Sequence, residues 1–164
     1  MSKSVKVWSY TLITILILGL ARVYFKELVG SQLWLVNFAI TTKTLKLFSL
    51  GAALYFFDVV MALSAVSEFE EIATFLWVRE LSLIRLWRAF ASRYIKYFGS
   101  LLLVHLPLIS WQNMSFSLLS LLGEAIVWGV AVSIGFSKSN SISQKISIPL
   151  LFGVLRILGM LIVS

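Results

Sequence analysis

Long apolar stretches separated by short charged segments dominate the chain. A bilayer core about 30 Å thick takes about 20 apolar residues at a 1.5 Å helical rise, which makes stretches of that length the first feature to locate. Five meet the requirement: residues 7–25, 47–66, 97–114, 115–136 and 146–163. The third and fourth are divided near Pro107 and by Trp111-Gln112-Asn113, a polar interruption that predicts a short hairpin turn. Residues 28–42 are also uncharged but too short to cross. With Gly30, Ser31, Gln32, Asn37, Thr41 and Thr42 among them, they predict a surface-lying or re-entrant segment. The pattern therefore predicts an all-α fold: one membrane domain over residues 1–164, a polytopic transmembrane helical bundle of about five spans.

Composition agrees with this pattern. Of 164 residues, 60% are hydrophobic and 13% charged, against about 25% charged in soluble domains. The absence of cysteine and the single histidine remove disulfide frameworks, thiolate zinc sites and cysteine nucleophiles, and one histidine alone cannot build an ordinary zinc site. No cofactor or metal is expected. The opening Met1-Ser2-Lys3-Ser4-Val5-Lys6 resembles a signal peptide start, but no small-x-small cleavage site follows, which favours a retained first helix.

The net charge of +7 is distributed between the apolar stretches, which points to topology and anionic headgroups before nucleic acid. With five spans and a cytoplasmic N-terminus, Lys3, Lys6, Arg79, Arg85, Arg88, Arg93, Lys96, Lys138 and Lys145 lie inside, and Arg22, Lys26, Lys43 and Lys46 outside. The positive-inside rule then predicts a multi-pass plasma-membrane protein with its N-terminus in the cytoplasm. If residues 28–42 also crossed, the same balance would return with the N-terminus outside. Both arrangements keep residues 67–96 and 137–145 cytoplasmic, the latter as a flexible polar loop.

Ser67-Glu68-Phe69-Glu70 matches the S-x-x-E capping box and predicts a helix start at Ser67. Glu68, Glu70 and Glu71 come first and Arg85, Arg88, Arg93 and Lys96 later, the order that suits a helix dipole. Apolar periodicity is spoiled around Val78, Arg79 and Leu81, and a break between Arg79 and Ala91 is expected, giving two short helices. They read either as interfacial helices whose arginines meet lipid phosphates or as a docking surface for a soluble partner.

Phe69-Glu70-Glu71-Ile72, Trp77-Val78-Arg79-Glu80-Leu81-Ser82 and Arg85-Leu86-Trp87-Arg88, set between a second span and a return span, resemble the membrane subunits of ABC-2 type transporters over residues 47–107. The resemblance implies a coupling helix seated on a separate ATPase subunit, with Phe75, Trp77, Arg79, Glu80, Arg85, Trp87 and Arg88 as docking residues. It also implies a second membrane subunit or a homodimer, and outward movement of a hydrophobic peptide or lipid-linked cargo. Six spans are usual in that family. The chain has no G-x-x-x-x-G-K-S/T, so ATP would be hydrolysed by the partner. Glu70-Glu71 also resembles the glutamate pair of CPBP-type intramembrane metalloproteases, but Phe75 stands where that pattern needs arginine and the additional histidine is missing.

Three ionisable residues lie well inside the apolar stretches, Asp58, Glu124 and Arg156, whereas Arg22 is near one end of the first, where a long side chain can snorkel to the headgroups. Each of the three costs at least about 2.5–3.5 kcal/mol at bilayer depth and needs a partner or a wet cavity. Helix midpoints put Glu124 and Arg156 within about 2 Å of each other in depth, with Asp58 about 4 Å from Arg156. A Glu124–Arg156 ion pair is therefore expected, with Asp58 as competitor or third member. His105, two residues before Pro107, is expected as a hydrogen-bonded interfacial side chain. Competing functional readings are a small membrane binding or immunity module, a vitamin-type substrate-capture subunit, an intramembrane enzyme using Glu124 or Asp58, and a scaffold subunit without a site.

Overall fold

The computed structural model describes residues 3–24, 31–40, 44–78, 83–106, 114–136 and 141–163, which are helical and contain no strand. Six helices follow in order: α1 (Lys3–Tyr24), α2 (Ser31–Phe38), α3 (Leu45–Val78), α4 (Leu83–His105), α5 (Met114–Phe136) and α6 (Ser141–Val163). Long runs of Leu, Ile, Val and Ala carry no polar side chains to satisfy a backbone, so a helix, which closes its hydrogen bonds internally, is their economical form. Pro107 and Pro149 are the chain's two prolines.

The 34-residue α3 is the axis of the bundle, and each of the other helices packs on it. Leu47, Leu50, Leu54, Asp58, Met61, Ala65 and Phe69 are buried along one α3 stripe at steps of three and four residues, the spacing that keeps side chains on one helix face. Tyr97, Leu101 and Val104 on α4, Trp128 on α5, and Ile148 and Phe152 on α6 complete the apolar core. The Trp128 ring meets the Tyr94 ring edge-on, centroids 5.1 Å apart, a preferred aromatic geometry. Outward, α1 exposes Leu12, Leu16 and Leu20, α5 exposes Leu119, Leu122 and Ile126, and α6 exposes Leu150, Ile157 and Leu161. Among the described residues one helical stretch, Leu45–Ile72, is long and apolar enough to cross a membrane. Val7–Ala21, Ser117–Val130 and Ile146–Leu161 are shorter apolar stretches.

Three local expectations are corrected. No helix starts at Ser67: α3 runs through it, because its buried stripe continues to Phe69. The neighbouring acid serves a different purpose, since the Glu68 carboxylate reaches across to α4 and meets Arg93 Nε at 3.3 Å and Lys96 Nζ at 3.2 Å, and accepts the Tyr97 hydroxyl. The acid-then-base order is thus a clasp between two antiparallel helices. The interruption expected between Arg79 and Ala91 falls between α3 and α4, at residues 79–82, which lie outside the described residues, but the helices on either side are 34 and 23 residues long and not short. In the 137–145 segment, Ser141–Lys145 already form the start of α6. The turn expected around Pro107 and Trp111–Asn113 lies outside the described residues.

α2 is an eight-residue helix inserted between α3, α5 and α6, with Leu35, Val36, Asn37 and Phe38 buried. Its end lies so close to α6 that a Cβ on Gly159 would collide with the Phe38 carbonyl, whereas a Cβ on Gly99 meets nothing within 4 Å. Gly159→Ala is accordingly expected to lower stability by about 1–3 kcal/mol through forced backbone displacement. Gly99→Ala should be neutral or stabilising by up to about 1 kcal/mol, and detergent melting temperatures of the two variants check the contrast.

Candidate functional site

The buried stripes do not stay apolar. Asp58 interrupts the α3 stripe, His105 ends the α4 stripe four residues after Leu101, Glu124 lies four residues before Trp128 on α5, and Arg156 four after Phe152 on α6. Each is on the inward face because its neighbours three or four positions away are. Asn37, from α2, joins them. All five are at most 2% exposed, and five helices thus deliver one polar cluster into an apolar interior.

Asp58 is its centre. One carboxylate oxygen accepts from Arg156 Nη2 at 2.9 Å, and the other lies 2.8 Å from His105 Nε2. Arg156 Nη1 also donates to the Gly51 carbonyl at 3.2 Å and the Val36 carbonyl at 3.4 Å, binding α6 to α3 and α2. The Asn37 amide donates from Nδ2 to the His105 carbonyl at 3.2 Å, which turns its Oδ1 toward His105 Nδ1. An amide oxygen only accepts, so Nδ1 carries the hydrogen and donates. The Phe38 ring stacks beside the imidazole with centroids 5.9 Å apart. Glu124 Oε2 lies 3.6 Å from His105 Nε2 and has no hydrogen-bond partner.

The expected Glu124–Arg156 pair gives way to Asp58–Arg156, with Glu124 directed at the imidazole instead. Equal depth along two helices leaves the rotation about each axis unspecified, and rotation decides who meets whom. His105 is not interfacial but wholly buried. Its place was readable from its spacing to Tyr97 and Leu101, whereas Asn37 carried no signal beyond being one polar residue in an uncharged segment.

The cluster does not include the sequence-predicted docking residues. Phe75 and Trp77 belong to the last turns of α3, and Arg85, Trp87 and Arg88 to the first turns of α4. Of these, Arg88 is exposed, and Arg79 and Glu80 lie outside the described residues. A residue pair such as Asp58 and Phe75 is separated by about 25 Å along α3.

A buried ion pair costs heavy desolvation and holds only while both members are present. Arg156→Gln and Asp58→Asn should each cost about 3–5 kcal/mol by leaving one charge unpaired. The double variant should recover part of that loss, which thermal unfolding in detergent measures; equal loss in all three variants would contradict the pairing. Comparison with protein-family models, with curated proteins and with solved structures finds no match, so the functional reading is built on the cluster and the helices that carry it.

Proposed function

We propose that the chain is an integral membrane helical bundle that serves as the membrane subunit of an ATP-driven transporter, with a separate ATPase seated on the α3–α4 hairpin. The observation that carries the reading is the inverted distribution of polarity: charged side chains are sealed in the centre while Leu and Ile cover the outside. In water that surface is an aggregation hazard; in lipid it is the ordinary exterior, with ionisable groups turned to the bundle interior.

Two features favour a transport role. Asp58 lies halfway along the apolar Leu45–Ile72 stretch, and α2 and α4 both end there, at Phe38 and His105. Helices that stop at mid-depth around a polar cluster are how many transporters form their binding sites. Beyond Ser67, α3 and α4 continue together as a pair tied by Glu68 to Arg93 and Lys96, a stiff projection suited to transmitting a partner's movement. A lone bundle of this size encloses little volume, so a second membrane subunit or a second copy completes the path.

The polar cluster also favours a second reading, a small membrane binding module that acts without ATP. Alkaline carbonate extraction should leave the chain in the membrane fraction. Purification from native membranes should bring an ATPase with it, and Arg88→Glu should release that partner by at least about tenfold if a complementary surface faces it. A chain that emerges alone and is inert to ATP overturns the ATPase coupling in favour of the binding module.

A further inference from the structure

With a neutral His105 ring, the hydrogen-bonding arithmetic around Nε2 does not close within the chain. Nδ1 holds the ring hydrogen because it faces the Asn37 amide oxygen, so in the neutral imidazole Nε2 is a bare lone pair. That lone pair faces Asp58 Oδ1 at 2.8 Å and Glu124 Oε2 at 3.6 Å. With the ring neutral, three electron-rich atoms converge where none can donate to another, so a cation or a second ring proton must lie between them. One ligand atom from each of Asp58, His105 and Glu124 lies within 4.8 Å of the other two, and Glu124 Oε2 is buried with no hydrogen-bond partner.

We infer that Asp58, His105 and Glu124 bind a divalent transition metal ion of the zinc or manganese class. The donor set of one imidazole and two carboxylates suits these borderline ions. Surrounding contacts match what metal ligands require. A ligating histidine is oriented by donating its other ring hydrogen, and ligating carboxylates are themselves hydrogen-bonded. Here Asn37 accepts from Nδ1, and Arg156 holds the second oxygen of Asp58.

One histidine and no cysteine make no ordinary zinc site by themselves; here carboxylates from α3 and α5 join the histidine of α4 to complete a set of three. Three protein ligands leave a coordination position for water or an exogenous ligand. A cavity of about 260 Å³ lined by Ala39, Gly51, Tyr55, Gly153, Arg156 and Ile157 adjoins the Arg156 side of the cluster. This site is independent of the ATPase reading and stands or falls separately.

The test uses the full chain, tag removed, purified in detergent, stripped with chelator and titrated with Zn²⁺ or Mn²⁺ alone. Metal content by mass spectrometry should reach equimolar, with a rise in melting temperature. Glu124→Gln replaces a carboxylate oxygen that has no hydrogen-bond partner, so the metal-free variant should fold and melt no lower than the parent, yet lose at least about tenfold in affinity together with the thermal response. Asn37→Leu, which frees the imidazole without touching a ligand, should weaken binding by about 10–100-fold. The inference is overturned if the parent chain takes up neither ion, if Glu124→Gln binds as tightly as the parent, or if only Mg²⁺ or Ca²⁺ stabilises it. Uptake of neither ion would assign the place between the carboxylates to a proton on His105.

Discussion

Everything inside this bundle answers to the carboxylate of Asp58. A charge placed in the middle of the longest helix, sealed from water, is tolerable only if partners meet it on both oxygens. Arg156 supplies one side and His105 the other, and each of those residues fixes the helix that carries it. The position of α6 is set by the reach of the Arg156 guanidinium to Asp58, Gly51 and Val36. The rotation of α4 is set by the imidazole, and α2 is held by the exchange between Asn37 and His105. Dispersion among Leu and Ile side chains fills space but distinguishes poorly between rotations of one helix against another; the polar contacts are directional and choose among them.

How far the sequence could reach follows from the same contrast. The helices were legible because burial and backbone satisfaction act along a single segment: the apolar stretches feed α1, α3, α4, α5 and α6, and the segment with Asn37 at its centre feeds the short α2. That Asp58, Glu124 and Arg156 belong to the interior was legible for the same reason. Their partners were not, because pairing depends on helix rotation and on which helices are neighbours. Ser67 shows a different difficulty. The capping-box pattern is local chemistry that a helix start would use, but tertiary packing of Phe69 carries α3 past it, and Glu68 bonds to α4 instead.

The cluster also combines roles that are usually separated. Arg156, Asp58 and Asn37 are held by hydrogen bonds to one another's helices and read as architecture, although Arg156 Nε has no partner, while Glu124 stands partly outside that network with an unsatisfied oxygen. A network in which one member is unsatisfied is costly in a low-dielectric interior. Such a member is where an architectural network most readily gains a function, since a ligand there relieves a cost instead of displacing a bond.

The two ties between α3 and α4 have a mechanical meaning. Glu68 meets Arg93, Lys96 and Tyr97 near one end, and Asp58 meets His105 ten residues away along α3, about 15 Å at the helical rise. Two attachment points in one antiparallel register prevent the helices from sliding past each other, since a shift of one turn would break both at once. A push delivered at the distal ends of this pair therefore arrives at the buried cluster as a tilt or rotation of a rigid lever. Its first effect there would be on the contacts that α3 makes with α5 and α6 and that α4 makes with α5.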